Sequence, residues 1–453
     1  MRSPRIPNQV LRALLAEAGW SGAQLAREVN SLGIAQGTPF HYDRTSVAHW
    51  LSGSCPRPPV PSLVAEALSR RLGRVVRTED TGLMVSEPPG YVPEVSPAEE
   101  SAVEYLRRVL PTTDQRGHTQ LGAYSLAALA APGWQAEAEH PSEAGEGIRT
   151  GVDVPHTESA RELLSVFARS DAAFGSGAIR EPLRQYLSAT VLPLLESEMR
   201  PAVRRELFTV AARLAYLCAF AHFDMNHQAA AQSFYLSSIR LAREAGDRVG
   251  YALGMRGLSV QAHALGHLTQ AHHLAEQAVR IGASHAPPHQ RAFLLGQLAL
   301  SQAARGDAHH ARSFAAAERC LERASSGATP VGAFHPGSLA YQQAAASTAR
   351  GDHRTALRAL ELSLRHRPAE ERRSQALCLA ECAETQLTIG HLEQACATWH
   401  EFLDLYPSLA SARADDRLRT LIARTRPNSA NPVAGALLGR ALEQRRNTRA
   451  ADG

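Results

Sequence analysis

Residues 43–59 combine regularly spaced apolar residues with polar and cationic side chains, a pattern suited to contact with base edges in a DNA groove. They predict a short helix that begins after Asp43 and ends at Gly53, with apolar residues at the i, i+3, i+4 spacing on one face. That buried face consists of Val47, Trp50 and Leu51. The opposite face carries small, polar or cationic side chains, as a helix that lies in a groove requires. Its members are Arg44, Thr45, Ala48 and His49.

Polar side chains around this helix extend the candidate interface. Ser21 and Gln24 stand at the start of the preceding predicted helix, and Arg57 lies in a proline-rich turn, so these three are candidates for phosphate contacts. In the alternative interpretation, the candidates are ordinary solvated positions. The complete set of candidate DNA-binding residues is Ser21, Gln24, Arg44, Thr45, Ser46, His49 and Arg57.

Three further helices must position the exposed one. The apolar spacing predicts helices over residues 8–18, 22–32 and 61–72, with Ser21 as the N-cap of the second. Four short helices within about 70 residues, the third with a polar face, predict a helix-turn-helix DNA-binding domain over residues 5–83. The inward residues of the other three helices are Val10, Leu11, Leu14 and Leu15; Leu25, Ala26 and Val29; and Leu63, Val64, Ala67 and Leu68.

Two runs in this region resemble the phage-repressor-type (Xre/Cro) regulators of actinobacteria. They are LRxLxxEAGWSxxxLARxVN at residues 11–30 and DRTSVAHWLxG at residues 43–53. The resemblance implies a helix-turn-helix fold with double-stranded DNA as its partner. The sequence departs from the family at residues 31–42, where the connection is much longer than the usual turn of about three or four residues. A connection of this length constrains the orientation of the third helix less than a short turn would.

Charge is distributed unevenly along the chain. Every one of the 48 basic residues is arginine. Residues 1–83 carry a net charge of +4, residues 84–160 carry −8 and the remainder carries +8, in line with the formal total of +4. A basic N-terminal domain and an acidic, proline- and glycine-rich linker over residues 84–156 favour a DNA-binding unit with local phosphate contacts. A charge of this size is also ordinary for a domain that binds no nucleic acid.

Other classes of function find little support in the sequence. It has no secretory signal, no run of eighteen apolar residues and no CxxC pair among its six cysteines, so we expect a cytoplasmic protein without a membrane span. The GxGxxG and GxxxxGK[ST] motifs of nucleotide binding, the HExxH motif of zinc proteases and the GxSxG motif of esterases are absent. We therefore expect no enzymatic activity, no catalytic residues and no cofactor.

A repeat of about 40 residues occupies the chain beyond residue 157. Each copy has a tight Gly-Asp or Gly-His turn, an alanine five residues later and an apolar residue nine residues after the glycine. The turns start at Met225 (a degenerate copy, Met225-Asn226), Gly266, Gly306, Gly351 and Gly390. The alanines are Ala230, Ala271, Ala311, Ala356 and Ala395, and the later residues are Phe234, Ala275, Ala315, Leu360 and Trp399. Recurring helix pairs predict an α-solenoid over residues 157–425 of an all-α protein.

The repeats resemble tetratricopeptide repeats with longer helices than the usual unit of about 34 residues. The motif DxxFGxGxxRxxLxxYL at residues 171–187 strengthens a resemblance of the whole chain to actinobacterial helix-turn-helix/tetratricopeptide regulators of sporulation and antibiotic production. The resemblance implies transcriptional control, with the solenoid binding a peptide, a small molecule or a protein as a signal. The alternative hypothesis is a protein-interaction scaffold that uses the repeats without sequence-specific DNA binding.

Two remaining features favour structural interpretations. Cys378, Cys382 and Cys396 could bind zinc, but cysteine also packs as a small apolar residue in repeat helices, so we expect no metal site. Residues 426–453 predict a tail whose helix at 434–445 caps the last repeat.

The oligomeric state stays open. A homodimer is an alternative to a monomer, because helix-turn-helix domains usually bind two half-sites as a dimer.

Overall fold

The computed structural model describes residues 6–35, 39–74, 76–83, 100–110, 124–129, 133–134, 153–324 and 334–451. Every regular element within those ranges is helical, which confirms the predicted all-α class. The chain forms two compact units. The first comprises residues 1–133 together with 227–233, and the second comprises residues 134–226 and 234–453.

The first unit has an apolar core formed by four short helices. They are α1 (Gln9–Ala18), α2 (Gly22–Ala35), α3 (Arg44–Leu51) and α4 (Val60–Leu72). All of the predicted inward residues contribute to this core except Val10, whose side chain is 51% exposed. The prediction for Val10 was wrong because the buried stripe of α1 runs from Leu11 to Ala18, and Val10 lies about 100° around the helix from Leu11.

The segment predicted as an acidic linker contains a further helix, α5 (Ala102–Val109). Ser101 caps it, since its hydroxyl accepts a hydrogen bond from the Glu104 N–H at 3.2 Å while the Glu104 carboxylate accepts one from the Ser101 N–H at 3.1 Å. Tyr105 and Leu106 are buried on its inner face. The domain boundaries at residues 83 and 156 remain predictions, and the proline-rich parts of the linker lie outside the described residues.

The remaining helices form a solenoid of consecutive pairs. Helix α11 packs with α12, α13 with α14, α15 with α16, and α17 with α18, while neighbouring pairs pack on each other. The helices are α6 (Val154–Phe174), α7 (Gly177–Tyr186), α8 (Leu192–Glu196), α9 (Pro201–Asp224), α10 (Gln228–Glu244), α11 (Arg248–Ala264), α12 (Leu268–Gly282), α13 (Pro288–Ala304), α14 (His310–Glu322), α15 (Pro336–Ala349), α16 (His353–His366), α17 (Arg372–Thr388), α18 (Leu392–Leu405), α19 (Ala412–Thr425) and α20 (Pro432–Ala451).

All five predicted turns lie between two helices of a pair. Each contains a residue with positive φ, which glycine adopts without steric cost and asparagine tolerates better than most residues. These residues are Asn226, Gly266, Gly306, Gly351 and Gly390. Asparagine therefore takes the place of glycine in the degenerate first copy, one residue later than the predicted start of that turn at Met225.

The alanine of the third repeat departs from the predicted packing. Its four counterparts are buried, but Ala311 is exposed. The turn after Gly306 is longer than in the other copies, so that α14 begins only at His310. The inward positions of α14 consequently move to Phe314 and Ala317, which are both buried.

The solenoid closes on itself through contacts between its first and last helices. Helix α17 packs against α6, and the segment before α19 joins the turn after α6. The Ala410 N–H donates to the Phe174 carbonyl at 2.7 Å, and the Gly177 N–H donates to the Ala410 carbonyl at 2.8 Å. Glycine is required at position 175, because a Cβ atom there would lie 2.6 Å from the Ala410 carbonyl oxygen. The closure places α9, α11, α13, α15, α17 and α19 around a common interior.

The predicted C-terminal helix is α20, which packs on α18 and α19 and buries Leu437.

Among the described helices, α9 is long and apolar enough to cross a membrane by length and composition alone. However, 78% of its apolar window is buried, as in the core helix of a soluble protein.

Candidate nucleic-acid interface

The start of α3 is fixed by a reciprocal pair of hydrogen bonds. Asp43 Oδ1 accepts from the Ser46 N–H at 2.8 Å, and the Asp43 N–H donates to Ser46 Oγ at 3.4 Å. The bonds from the Ser46 N–H and hydroxyl lower the pKa of Asp43, so this carboxylate is charged at neutral pH and complements the helix dipole. The sequence therefore predicted both the beginning of α3 and the residue that caps it.

One face of α3 is buried and the other is exposed, as the sequence predicted. Val47 and Trp50 belong to the core, whereas Arg44, Thr45 and His49 are exposed. Within the described residues, none of these three exposed side chains makes a hydrogen bond or an ion pair. They are thus available to a partner outside the chain, and their contact with DNA remains a prediction.

The other predicted residues divide into those engaged in capping and one that is not. The hydroxyl of Ser46 donates to Asp43 Oδ1 at 2.9 Å, so its first role is to cap α3. Gln24 Oε1 accepts from the Ser21 N–H at 2.8 Å and from the Ser21 hydroxyl at 2.9 Å, which caps α2. Arg57 lies exposed in the turn before α4 and has no ion pair among the described residues.

The long connection before α3 is tied to α2 by one side chain. Asn30 Nδ2 donates to the Tyr42 carbonyl at 2.8 Å, and the Tyr42 N–H donates to Asn30 Oδ1 at 2.9 Å. The Tyr42 ring also packs edge-on against Trp50, with ring centroids 5.2 Å apart. These contacts fix the direction in which the chain enters α3, despite the length of the connection. Residues 36–38, in its middle, lie outside the described residues.

The residues before α1 hold the other end of α3. The Asn8 N–H donates to the Leu51 carbonyl at 3.0 Å, and Asn8 Oδ1 accepts from the Leu11 N–H at 2.9 Å. Asn8 Nδ2 also donates to the Thr81 carbonyl at 2.9 Å, so the main chain and side chain of one residue together join three segments of the unit. Sequence reasoning missed this role, because a capping asparagine before a helix gives no signal of its distant partners.

Arg44 and Arg57 have no acidic partner among the described residues, unlike Arg70 and Arg74 elsewhere in the first unit. Arg70 pairs with Glu66 at 2.7 Å and Arg74 pairs with Glu17 at 2.7 Å, so both are compensated within the unit. Arg44 and Arg57 lack an equivalent carboxylate among the described residues, and α3 itself contains no acidic residue. The exposed face of α3 therefore carries uncompensated positive charge, which attracts phosphate groups.

The described residues contain no group of three or more side chains suited to a metal ion. Cys378, Cys382 and Cys396 are all buried in repeat helices, and burial raises the pKa of each thiol. A raised pKa disfavours the thiolate form that binds zinc. These cysteines act as small core residues in the described structure.

Comparison with known protein families finds a match in the N-terminal part of the chain. The family model described as the SP15 N-terminal domain matches residues 11–84, which begin inside α1 and extend beyond α4. The matched residues include α2, α3 and the connection between them, but none of the solenoid. No curated protein matches the chain.

Proposed function

We propose that this protein is a sequence-specific DNA-binding transcriptional regulator in which α2 and α3 act as a helix-turn-helix of the Xre/Cro type. The observation that carries the proposal is the exposed face of α3, where Arg44, Thr45 and His49 have no partner within the described chain. Arginine binds guanine through two hydrogen bonds in the major groove, and threonine and histidine add shorter polar contacts. The opposite face of α3 is locked in the core, so the exposed face is held ready for a ligand.

Capping groups at the start of α2 support phosphate binding. Ser21 is exposed, and the N-terminal end of a helix attracts anions through its N–H groups and dipole. Arg57 adds a cation in the turn after α3. In this arrangement α3 specifies the sequence, while Ser21, Gln24 and Arg57 set its register on the backbone.

The solenoid has the role of a sensor in this proposal. It resembles tetratricopeptide repeats, and we infer that it binds a peptide, a small molecule or a protein whose presence changes the affinity for DNA. A cytoplasmic homodimer that binds two half-sites fits this function. The regulation of sporulation or antibiotic production is the part of the proposal that rests on sequence resemblance alone.

The test is selection of duplexes from a random-sequence pool by the full-length protein, in parallel with Arg44→Ala and with Arg12→Ala as a matched control on the exposed side of α1. We expect the parent and Arg12→Ala to enrich the same motif, and Arg44→Ala to lose preference at one position of it. If the parent enriches no motif, the scaffold hypothesis replaces the proposal.

A further inference from the structure

The interior of the closed solenoid contains a chamber of about 340 Å³. Its wall is built from the inner helices of successive pairs, so that residues far apart in sequence face the same space. This volume lies within the range of about 300–1,000 Å³ that small-molecule sites occupy, and it is too small for a folded domain. The chamber therefore has the size of a small-molecule site, and the side chains that line it are those that a small ligand would contact.

Aromatic rings form much of the chamber wall. Phe220 and Phe223 come from α9, Phe293 comes from α13, and Phe334 precedes α15. Phe293 and Phe334 pack against each other with ring centroids 5.4 Å apart. Such a wall suits the apolar body of a ligand, because their contact removes the surface of the rings and that of the ligand from water.

The charged residues of the wall are all basic. Four arginines line the chamber and no aspartate or glutamate does: Arg256, Arg367, Arg373 and Arg413. Two of them are compensated from behind the wall, since Arg367 Nη1 lies 2.7 Å from Glu371 and Arg373 Nη2 lies 3.0 Å from Asp171. The other two, Arg256 and Arg413, have no ion pair among the described residues.

Arg256 is a buried cation without a negative partner. Its residue is 8% exposed, its Nε donates to the Phe293 carbonyl at 3.1 Å, and its guanidinium lies 3.3 Å from the centroid of the Phe293 ring. Burial lowers the pKa of Arg256, and the phenols of Tyr216 and Tyr235 offset only part of that effect. A buried charge left without a counter-charge is costly, so an anion in the chamber would relieve this cost.

Arg413 converges on the same region from α19. Its guanidinium lies 5.3 Å from the centroid of the Phe223 ring and makes no hydrogen bond within the described residues. Arg256 and Arg413 line the same chamber, and both act to lower the pKa of the Tyr235 phenol, although burial raises that pKa overall. His263 Nδ1, also at the chamber wall, is buried without a hydrogen-bond partner and could serve a ligand atom.

We propose that the chamber binds a small organic anion, with an aromatic or acyl body among the phenylalanines and a carboxylate or phosphate head on Arg256 and Arg413. This anion would be the signal that the proposed regulator senses. Only that regulatory role rests on the proposed function. Binding itself is a property of the second unit and is measurable without DNA.

The test compares two dyes that share one ring system. We use 8-anilinonaphthalene-1-sulfonate and its uncharged analogue N-phenyl-1-naphthylamine, each titrated into the full-length protein and followed by fluorescence. We expect the sulfonate to bind at one saturable site. The affinity of the uncharged dye should be at least about tenfold lower, because the loss of a charge-assisted hydrogen bond costs that much. Equal affinity for the two dyes would overturn the proposal.

Variants locate the site within the protein. Arg413 is half-buried, and its side chain makes no hydrogen bond with the described residues, so Arg413→Gln should fold normally and weaken sulfonate binding about tenfold. Arg256→Gln should weaken it as much if its circular dichroism matches that of the parent. Arg312→Gln, at an exposed arginine of α14 without a partner among the described residues, is the matched control and should leave binding unchanged. Unchanged binding in Arg413→Gln would contradict the proposal.

Displacement identifies the head group. Octanoate or octyl phosphate that displaces the bound sulfonate dye supports the proposal and distinguishes a carboxylate from a phosphate ligand; displacement by neither contradicts it. These measurements contain no DNA. A negative result for DNA binding would therefore not change the conclusion on anion binding, and a negative result for anion binding would not change the conclusion on DNA selection by α3.

Discussion

The guanidinium of Arg373 forms a buried ion pair with the carboxylate of Asp171, with Nη2 at 3.0 Å from Oδ2, and so joins α17 to α6 across 202 residues of sequence. Asp224 of α9 also lies near the same guanidinium, with Oδ1 3.6 Å from Nη1. All three side chains are nearly inaccessible to water. This cluster, next to the main-chain bonds of Phe174 and Ala410, holds the solenoid closed.

Replacement of Arg373 should therefore open the closure. Arg373→Met leaves two buried carboxylates without their cation, and removal of one partner of a buried pair costs about 3–5 kcal/mol. We expect a loss of that size in the unfolding free energy of the second unit, measured by urea denaturation. Arg419→Met, at an exposed ion pair with Asp416, should change the same quantity by about 1 kcal/mol or less. Equal effects of the two substitutions would contradict the assigned role of the cluster.

A second prediction concerns the close approach of α11 to α10 at Gly257. A Cβ atom at this position would lie 2.3 Å from Cε1 of the buried Tyr235 ring, which has no room to move away. Gly257→Ala should thus destabilise the solenoid by about 1–3 kcal/mol, the usual cost of overpacking a core. Thermal denaturation of the full-length protein measures the change.

Gly439 provides the control for that substitution. It lies in α20, and an added Cβ atom would meet no atom within 4 Å. Gly439→Ala should raise stability by up to about 1 kcal/mol, because alanine favours helix more than glycine does. A similar loss of stability in both variants would show that steric contact with Tyr235 is not the cause.

Stability should depend on pH through Glu371. Burial alone would raise the pKa of Glu371, but the hydrogen bond from His335 and the charges of His335 and Arg367 outweigh burial, and its pKa falls below the ordinary 4.5. A lowered pKa stabilises the folded state above the unfolded value, and this contribution is lost as the pH falls through the folded value. Glu371→Gln should therefore be less stable than the parent at pH 7, with a difference that shrinks below about pH 4.5 in urea denaturation at several pH values. A difference that grows as the pH falls below about 4.5 would contradict this assignment.

Arg44 should contribute to the specificity of DNA binding. Arg44→Ala should weaken binding to the selected duplex by about 1–3 kcal/mol, with a smaller effect on random duplexes, because a base contact distinguishes sequences. Fluorescence anisotropy with both duplexes measures this, and Arg12→Ala is the matched control. Equal losses on both duplexes would place Arg44 on the phosphate backbone.

Arg57 should contribute affinity without specificity. Arg57→Ala should weaken binding to selected and random duplexes to a similar extent, because phosphate contacts are the same in every sequence. The slope of log affinity against log salt concentration should decrease by about one, as expected for the loss of one released counterion. A loss confined to the selected duplex would instead assign Arg57 to a base.

Local features of the fold were predictable because they depend on residues close in sequence. Asp43 predicted the start of α3, and the glycine turns predicted where each helix pair reverses direction. Ala311 was misplaced because two additional turn residues shift the helix that follows, and such a shift is not visible from the glycine alone.

Distant features could not be predicted in the same way. The motif at residues 171–187 stood out in the sequence, yet nothing in it indicated that Asp171 would meet Arg373 or that Phe174 would bind Ala410. The chamber arginines were equally hidden, because the repeat spacing identifies the residues that pack between helices and leaves the inner surface undetermined. Four arginines among 48 have no distinguishing pattern until the closure brings them together.

Genome-wide footprinting of the tagged protein in the organism that encodes it, beside the Arg44→Ala/His49→Ala double variant, is the most direct test of sequence-specific DNA binding by α3. We expect discrete sites that share a palindromic motif and disappear in the variant, since both exposed side chains of α3 are then lost. Sites that are absent from the parent, or that persist unchanged in the variant, would contradict sequence-specific binding by α3 and would make the protein an interaction scaffold.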